Sequence, residues 1–171
     1  MAEGTGARVK RLFPTQHLTH RDPFVLLDEF FVVPSAGFPS HPHRGFEAIT
    51  YMLEGSFHHE DSAGHHTDLL QGGVQRFTAG RGIVHSEMPG KSHLNHGFQL
   101  WVNLPRRLKG IEPSYQQVEP DAIPEAIGDG WTIRTIVGEG SPVDLKTDVL
   151  YLDISLQADS RYDLPIPEEF R

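Results

Sequence analysis

Glycine and proline divide this chain into short apolar stretches, and this division limits the folds that the chain can adopt. Its 171 residues include 17 glycines and 13 prolines, and no long segment shows helical periodicity. Six short stretches have strand character and are bounded by Gly, Pro, Asn, Asp or Ser: 24–32, 45–53, 74–79, 98–104, 131–137 and 149–156. Many short strands between turn residues are typical of a β-sandwich or β-barrel. The sequence therefore predicts an all-β fold.

Two connecting regions complete this prediction. Residues 57–67 are predicted to form a hairpin, because Ser62, Ala63 and Gly64 supply turn residues near its middle. Residues 103–126 are interrupted by several prolines and are predicted to cross the barrel with a short helix.

Composition excludes several classes of partner. The formal net charge of -8 disfavours direct binding to a nucleic-acid backbone, which needs a basic surface. The sequence has no apolar run of membrane-spanning length, and residues 1–10 lack the apolar core of a signal peptide. We therefore expect a cytoplasmic protein that does not associate with membranes.

The chain is rich in histidine and lacks cysteine. It has 11 histidines and no cysteine, so any metal ion must be held by imidazole and carboxylate groups. Such ligands favour iron, manganese, nickel or copper over a structural zinc site. Most of the histidines between residues 41 and 96 are predicted to be solvated on hairpins and loops: His58, His59, His65, His66, His93 and His96.

The other three histidines in that region follow an alternating pattern. His41 and His43 are two residues apart at the start of an extended segment, and in a regular strand Glu47 would share their face. His85 and Glu87 repeat this spacing after a glycine-rich turn. Three imidazoles and two carboxylates are sufficient to form the inner coordination shell of a transition metal.

The motifs that contain these residues resemble those of the pirin family of cupin proteins. HPHRGFE and GRGIVHSEMP are the most specific, and RLFPT, DPFVLLDEF, HEDSAG, HGFQLWVNLP and IEPSYQ occur in the pirin order. The resemblance implies a double-stranded β-helix, the cupin jelly-roll barrel, with one complete barrel and the first strands of a second. It divides the chain into a metal-binding cupin domain at 1–140 and the truncated start of a second cupin-like domain at 141–171.

The pirin resemblance also implies a mononuclear site, commonly of iron. Its ligands carry over to His41, His43, His85 and Glu87. Cupins in general take their carboxylate ligand from the first motif, which would be Glu47. We follow the closer family and assign Glu87 to the metal, which leaves Glu47 to orient an imidazole. Fe(II) is the expected ion, with manganese, nickel, copper and zinc as alternatives.

Some pirins resemble flavonol 2,3-dioxygenases, and this likeness implies oxygen-dependent cleavage of a quercetin-like flavonol. The partners would be a small aromatic substrate and O2, and Glu87 or Glu47 would accept the proton of the substrate's 3-hydroxyl. Phe46, Met52, Phe77 and one face of residues 98–104 are expected to line the pocket.

Two other functions are compatible with the same residues. One is a non-enzymatic regulatory protein whose metal or redox state controls binding to a protein partner, for which the basic residues 106–110 offer a surface. The other is a stable barrel with a vestigial metal site. An open metal edge and a cavity of sufficient size would distinguish an enzyme from either.

The end of the chain has an amphipathic strand pattern. Leu150, Leu152, Ile154 and Leu156 lie on one face of the predicted last strand, which is therefore expected to need a core. We predict that residues 148–164 either pack back on the first barrel or pair with another chain, including a second copy of this one.

Overall fold

The computed structural model describes residues 6–19 and 21–166, and strands dominate the described part of the chain. Thirteen strands occur there, namely β1 Ala7–Phe13, β2 Phe24–Val32, β3 Phe38–His43, β4 Phe46–Glu54, β5 Ser56–Asp61, β6 His66–Leu70, β7 Val74–Thr78, β8 Ile83–Pro89, β9 Asn95–Asn103, β10 Ser114–Val118, β11 Glu125–Gly128, β12 Trp131–Val137 and β13 Tyr151–Leu156. The described residues also contain two short 3-10 helices, Arg106–Leu108 and Pro120–Ala122.

Two antiparallel sheets form the barrel. One has six strands in the order β1-β2-β9-β4-β7-β10, and the other has four in the order β3-β8-β5-β6. Buried side chains join them, with Phe30 and Met52 from the larger sheet packed in one cluster with Phe57 and Leu69 from the smaller. The predicted all-β cupin barrel is confirmed.

The predicted strands and the 57–67 hairpin are confirmed, but the crossing segment contains more structure than expected. Residues 114–118 form β10, which pairs antiparallel with β7 at the edge of the six-stranded sheet. The sequence SYQQV has little apolar character, so its periodicity did not indicate a strand. Pairing with a buried neighbour selects the strand conformation there.

Strand β4 is buried on both faces because the six-stranded sheet is covered on both sides. Ala48 faces the barrel interior, where it packs with Phe77. Ile49 faces the opposite way and joins a cluster that includes Ile136 and Val149. The strand therefore reads as an almost continuous apolar run instead of a clean alternation.

The outer cover is a third sheet, with strand order β11-β12-β13. Ile136 is fully buried where this sheet meets the barrel. At the same contact the Tyr51 hydroxyl donates to Asp153 Oδ2 at 2.8 Å and accepts from Arg134 Nη1 at 2.8 Å. A buried apolar contact and a charged hydrogen-bond network thus fix the third sheet to the barrel.

The last strand packs back on the first barrel, as one of the two predicted arrangements required. The face in contact with the barrel is opposite to the predicted one, however, since Val149 is buried in the shared cluster and Tyr151 packs against it. Ile154 and Leu156, expected to face a core, remain 38% and 52% exposed. The sequence favoured the face with the larger apolar side chains as the buried one. In the structure the β12–β13 pairing instead places Asp153 beside Arg134 on the barrel side.

The third sheet draws its strands from both sides of residue 140, and the division of the chain at that position stays a prediction. Among the described residues, no helix has the length and apolar character needed to cross a membrane.

Packing of the third sheet predicts different effects for two isoleucines. Ile136→Ala should lower the free energy of unfolding by about 2–5 kcal/mol, because a fully buried side chain leaves a cavity. Ile127→Ala is the matched control on the same sheet, and because Ile127 is 73% exposed its effect should stay within about 0.5 kcal/mol. Urea denaturation measures both, and equal effects would contradict the packing.

Candidate metal centre

The three predicted histidines converge at one place in the barrel. His41 and His43 lie on β3 and His85 lies on β8, with His41 paired directly opposite His85. The Nε2 atoms of His41 and His85 are 3.2 Å apart. One ligand atom from each of the three imidazoles lies within 4.8 Å of the others, close enough to hold a single metal ion.

The backbone fixes the orientation of the His41 ring. Its Nδ1 lies 2.7 Å from the carbonyl oxygen of Pro39, which can only accept a hydrogen bond, so Nδ1 carries the proton. The lone pair of His41 is then on Nε2, directed towards His85. Metal-binding imidazoles are commonly held in this way through their second nitrogen.

Burial keeps the imidazoles in the form that binds metal. Desolvation, together with the neighbouring imidazoles, lowers the pKa of His43 to about 4 and that of His85 to about 3. Both rings are therefore neutral at pH 7, and neutral imidazole is the coordinating form.

Glu87 is held in the interior by three amide or hydroxyl donors. The carboxylate is 1% exposed. Its Oε1 accepts from the Gln75 amide and from the Thr50 hydroxyl, the latter at 3.1 Å, and its Oε2 accepts from Gln99 Nε2 at 2.8 Å. Trp101 Nε1 in turn donates to Gln99 Oε1 at 2.9 Å, which directs the Gln99 amide towards Glu87.

Glu87 belongs to a second cluster that overlaps the first at one residue. Ligand atoms of His59, His85 and Glu87 lie within 4.8 Å of one another, and all three residues are buried. The structure therefore joins Glu87 to the three imidazoles through His85. Its role as the carboxylate ligand stays a prediction.

Glu47 lies on the face of β4 that points away from the barrel interior. The prediction that it shares a face with His41 and His43 is therefore wrong. Gly45 has a φ of +79° between β3 and β4, so the chain turns there and the alternation is interrupted. Glu47 accepts hydrogen bonds from the Thr78 hydroxyl at 2.7 Å and from the Lys146 backbone at 2.8 Å. Glu47 thus contacts the loop between β12 and β13, on the face of the sheet away from the imidazoles.

His59 was predicted to be solvated, but it is fully buried. It lies on β5 directly opposite Glu87, and its ring stacks on Tyr115 with the centroids 4.5 Å apart. The alternation of Phe57 with His59 was the available signal, because an inward Phe57 places His59 inward as well.

A cavity of about 210 Å³ adjoins the imidazoles. Its walls come from both sheets, and the lining consists of Val9, Arg11, Leu26, Asp28, Phe30, Phe38, His41, His43, Glu87, Gln99 and Trp101. Of the expected wall residues, Trp101 lines the cavity and Phe46 stacks behind it at a centroid distance of 4.3 Å. Met52 packs in the interior cluster with Phe57, and Phe77 stacks against His43 instead.

These residues fit a divalent transition metal on their own chemistry. His41 directs a lone pair into the cluster, while His43 and His85 are neutral. A buried carboxylate adjoins the cluster at His85. Nitrogen and oxygen donors without thiolate suit iron, manganese, nickel, copper or zinc. Barrel and histidine cluster together define a cupin-type protein with a candidate metal centre.

Comparison with known proteins identifies the family. The Pirin family model matches residues 6–102. A pirin-like protein of Solanum lycopersicum is 49% identical over 170 residues, which cover 97% of this chain and 58% of that relative. The chain belongs to the pirin family and spans somewhat over half the length of such relatives.

Two solved structures are similar in fold and sequence. The GK1651 protein of Geobacillus kaustophilus superposes with a TM-score of 0.80 at 35% identity, covering 91% of this chain and 65% of that one. A quercetin 2,3-dioxygenase of Acinetobacter baumannii gives a TM-score of 0.75 at 30% identity, covering 86% of this chain and 52% of that enzyme.

The lowered imidazole pKa values predict how stability depends on pH. In the unfolded chain a histidine titrates near pH 6.5, whereas His85 in the folded protein titrates near 3. Below about pH 6.5 the unfolded state therefore binds more protons, and the metal-free protein should lose stability as the pH falls towards 4.

The test compares His85→Gln with His93→Gln, whose original side chain is 89% exposed. Urea denaturation in chelator at pH 7 and pH 5 should show that His85→Gln reduces proton uptake on unfolding by up to about one proton. His93→Gln should leave it unchanged. The same slope in both variants would contradict the assigned pKa of His85.

The positions of the two glutamates predict different effects on metal binding. Glu87→Gln should weaken Co(II) binding by at least about 100-fold, because it removes the carboxylate next to the imidazoles. Glu47→Gln is the matched control and should leave the affinity unchanged, because Glu47 contacts the Lys146 backbone on the opposite face of the sheet. Calorimetric titration measures both affinities. If Glu47→Gln weakened binding more than Glu87→Gln, the assignment of Glu87 as the carboxylate ligand would be wrong.

Proposed function

We propose that this protein is an oxygen-dependent dioxygenase that cleaves quercetin-like flavonols at a metal held by His41, His43, His85 and Glu87. The observation that carries the proposal is the contact between the histidine cluster and the cavity, since His41, His43 and Glu87 also line its wall. Similarity to a quercetin 2,3-dioxygenase of Acinetobacter baumannii supports the choice of reaction and substrate.

We propose Fe(II) as the resident ion, with manganese, nickel, copper and zinc as alternatives. When bound, the metal would supply a Lewis acid that lowers the pKa of a coordinated hydroxyl and a site where O2 meets the substrate. His41, His43 and His85 would hold it through imidazole nitrogens. The charge of Glu87 would partly compensate that of the ion.

Glu87 is the group that accepts the proton of the substrate's 3-hydroxyl. A carboxylate has about four lone-pair positions. The donors Thr50, Gln75 and Gln99 occupy three of them, two on Oε1 and one on Oε2. One position on Oε2 is left, so Glu87 would have to release the metal in order to accept this proton.

The cavity walls position the aromatic substrate. Phe30, Phe38 and Trp101 provide flat apolar surfaces, and Asp28 is held at the wall by two hydrogen bonds from Arg11 at 2.8 and 2.9 Å. The volume of about 210 Å³ is below the range of about 300–1,000 Å³ typical of ligand pockets. One ring of a flavonol therefore enters, and the rest of the molecule lies at the mouth.

Oxygen consumption tests the proposal. Protein loaded separately with each candidate metal should remove the flavonol's visible absorbance, with one O2 consumed and one carbon monoxide released per flavonol cleaved. Glu87→Gln should lower kcat by about 100-fold or more, because it removes both a metal ligand and the proton acceptor, whereas Glu47→Gln should retain wild-type turnover. Absorbance loss that continues without oxygen or after chelation would exclude this mechanism. Inactivity with every metal would favour the regulatory alternative.

A further inference from the structure

The cluster of His59, His85 and Glu87 adjoins the cavity wall only through Glu87. The cavity wall includes His41 and His43 but neither His59 nor His85. His59, His85 and Glu87 are each at most 1% exposed, and one ligand atom from each lies within 4.8 Å of the others. Three buried groups thus meet in the barrel interior, and two of them, His59 and His85, lie outside the cavity wall.

Strand pairing creates this cluster. In the smaller sheet β8 lies between β3 and β5, with His41 opposite His85 on one side and His59 opposite Glu87 on the other. His85 and Glu87 therefore adjoin ligands from both neighbouring strands. The imidazole rings of His59 and His85 have centroids 5.3 Å apart.

Asp61 holds one ring nitrogen of His59 and leaves the other available to a metal ion. His59 Nε2 lies 3.1 Å from Asp61 Oδ2, and a carboxylate accepts hydrogen bonds, so Nε2 carries the proton. Asp61 is itself fixed, because it also accepts from the backbone of Ala63 at 2.9 Å and from His65 Nδ1 at 2.9 Å. The lone pair of His59 is consequently on Nδ1. A carboxylate that holds the outer nitrogen of a histidine is a common support of metal ligands.

The free nitrogens of this cluster have no other use in the described part of the chain. Nδ1 of His59 and Nδ1 of His85 are both buried, and neither has a hydrogen-bond partner among the described residues. Burying a polar atom without a partner costs free energy, because the atom gives up its hydrogen bonds to water. A cation bound between these imidazoles and Glu87 would satisfy such lone pairs.

We propose that His59, His85 and Glu87 form a second, inner position for a divalent transition metal such as cobalt, nickel or zinc. Two imidazoles and one carboxylate are a donor set suited to these ions. The inner position shares His85 with the cluster next to the cavity, so the two positions compete for one ion. The inference does not depend on the proposed dioxygenase activity.

The test removes the outer imidazoles and retains the inner ones. The His41→Ala/His43→Ala protein should bind one Co(II) per chain, followed by visible d–d absorption and by calorimetry. Adding His59→Leu should weaken this binding by at least about 100-fold, and adding Asp61→Asn should weaken it by about 10- to 100-fold, because the support of His59 is lost. His58→Ala is the matched control, since His58 is a partly exposed neighbour bonded to Asp68 and Glu60, and it should change nothing.

Circular dichroism and thermal unfolding of each variant separate a lost site from a lost fold. A folded His41→Ala/His43→Ala protein that binds no Co(II) would overturn the inner position, as would binding that His59→Leu leaves intact. If His59→Leu does not fold, the Asp61→Asn variant decides. Co(II) binding as tight as that of the His41→Ala/His43→Ala parent would overturn the inner position. Flavonol turnover by the wild-type protein is measured separately, so failure of the dioxygenase proposal and failure of the inner position give different results.

Discussion

The pairing of β8 with β3 and β5 is the constraint on which the candidate centre depends. It places His85 opposite His41 and Glu87 opposite His59. A shift of one residue in either register would turn these side chains to the other face. The position of the centre is therefore fixed by backbone hydrogen bonds, and the side chains need only adopt favourable rotamers.

The six-stranded sheet has a different role on each of its faces. Its inner face carries Thr50, Gln75 and Gln99, which hold the carboxylate of Glu87. Its outer face carries Ile49 and the buried Glu47, which the third sheet and the loop between β12 and β13 cover. Burial of both faces removes water from the strands that support the site. The third sheet thus contributes to the barrel although it contributes no ligand.

Polar groups of the interior form a connected set, which limits how the site can be changed. Trp101 lines the cavity and also holds Gln99, and Gln99 holds Glu87. A change in the cavity wall would therefore alter the carboxylate that adjoins the candidate metal centre. Such networks confer specificity when all members are satisfied and are costly when one member is lost.

Much of this molecule followed from local sequence, because strand alternation and turn residues act over a few positions. The division by glycine and proline determined an all-β chain, and the spacings of His41 with His43 and of His85 with Glu87 determined which side chains share a face. The tertiary structure alone decided which faces are buried. Glu47 turned away because Gly45 interrupts the alternation, His59 is inside because β5 pairs with β8, and β13 packs through Tyr151 because its partner β12 presents Arg134 to the barrel. Each of these outcomes depends on contacts between residues distant in the chain, and a pattern of period two does not specify such contacts.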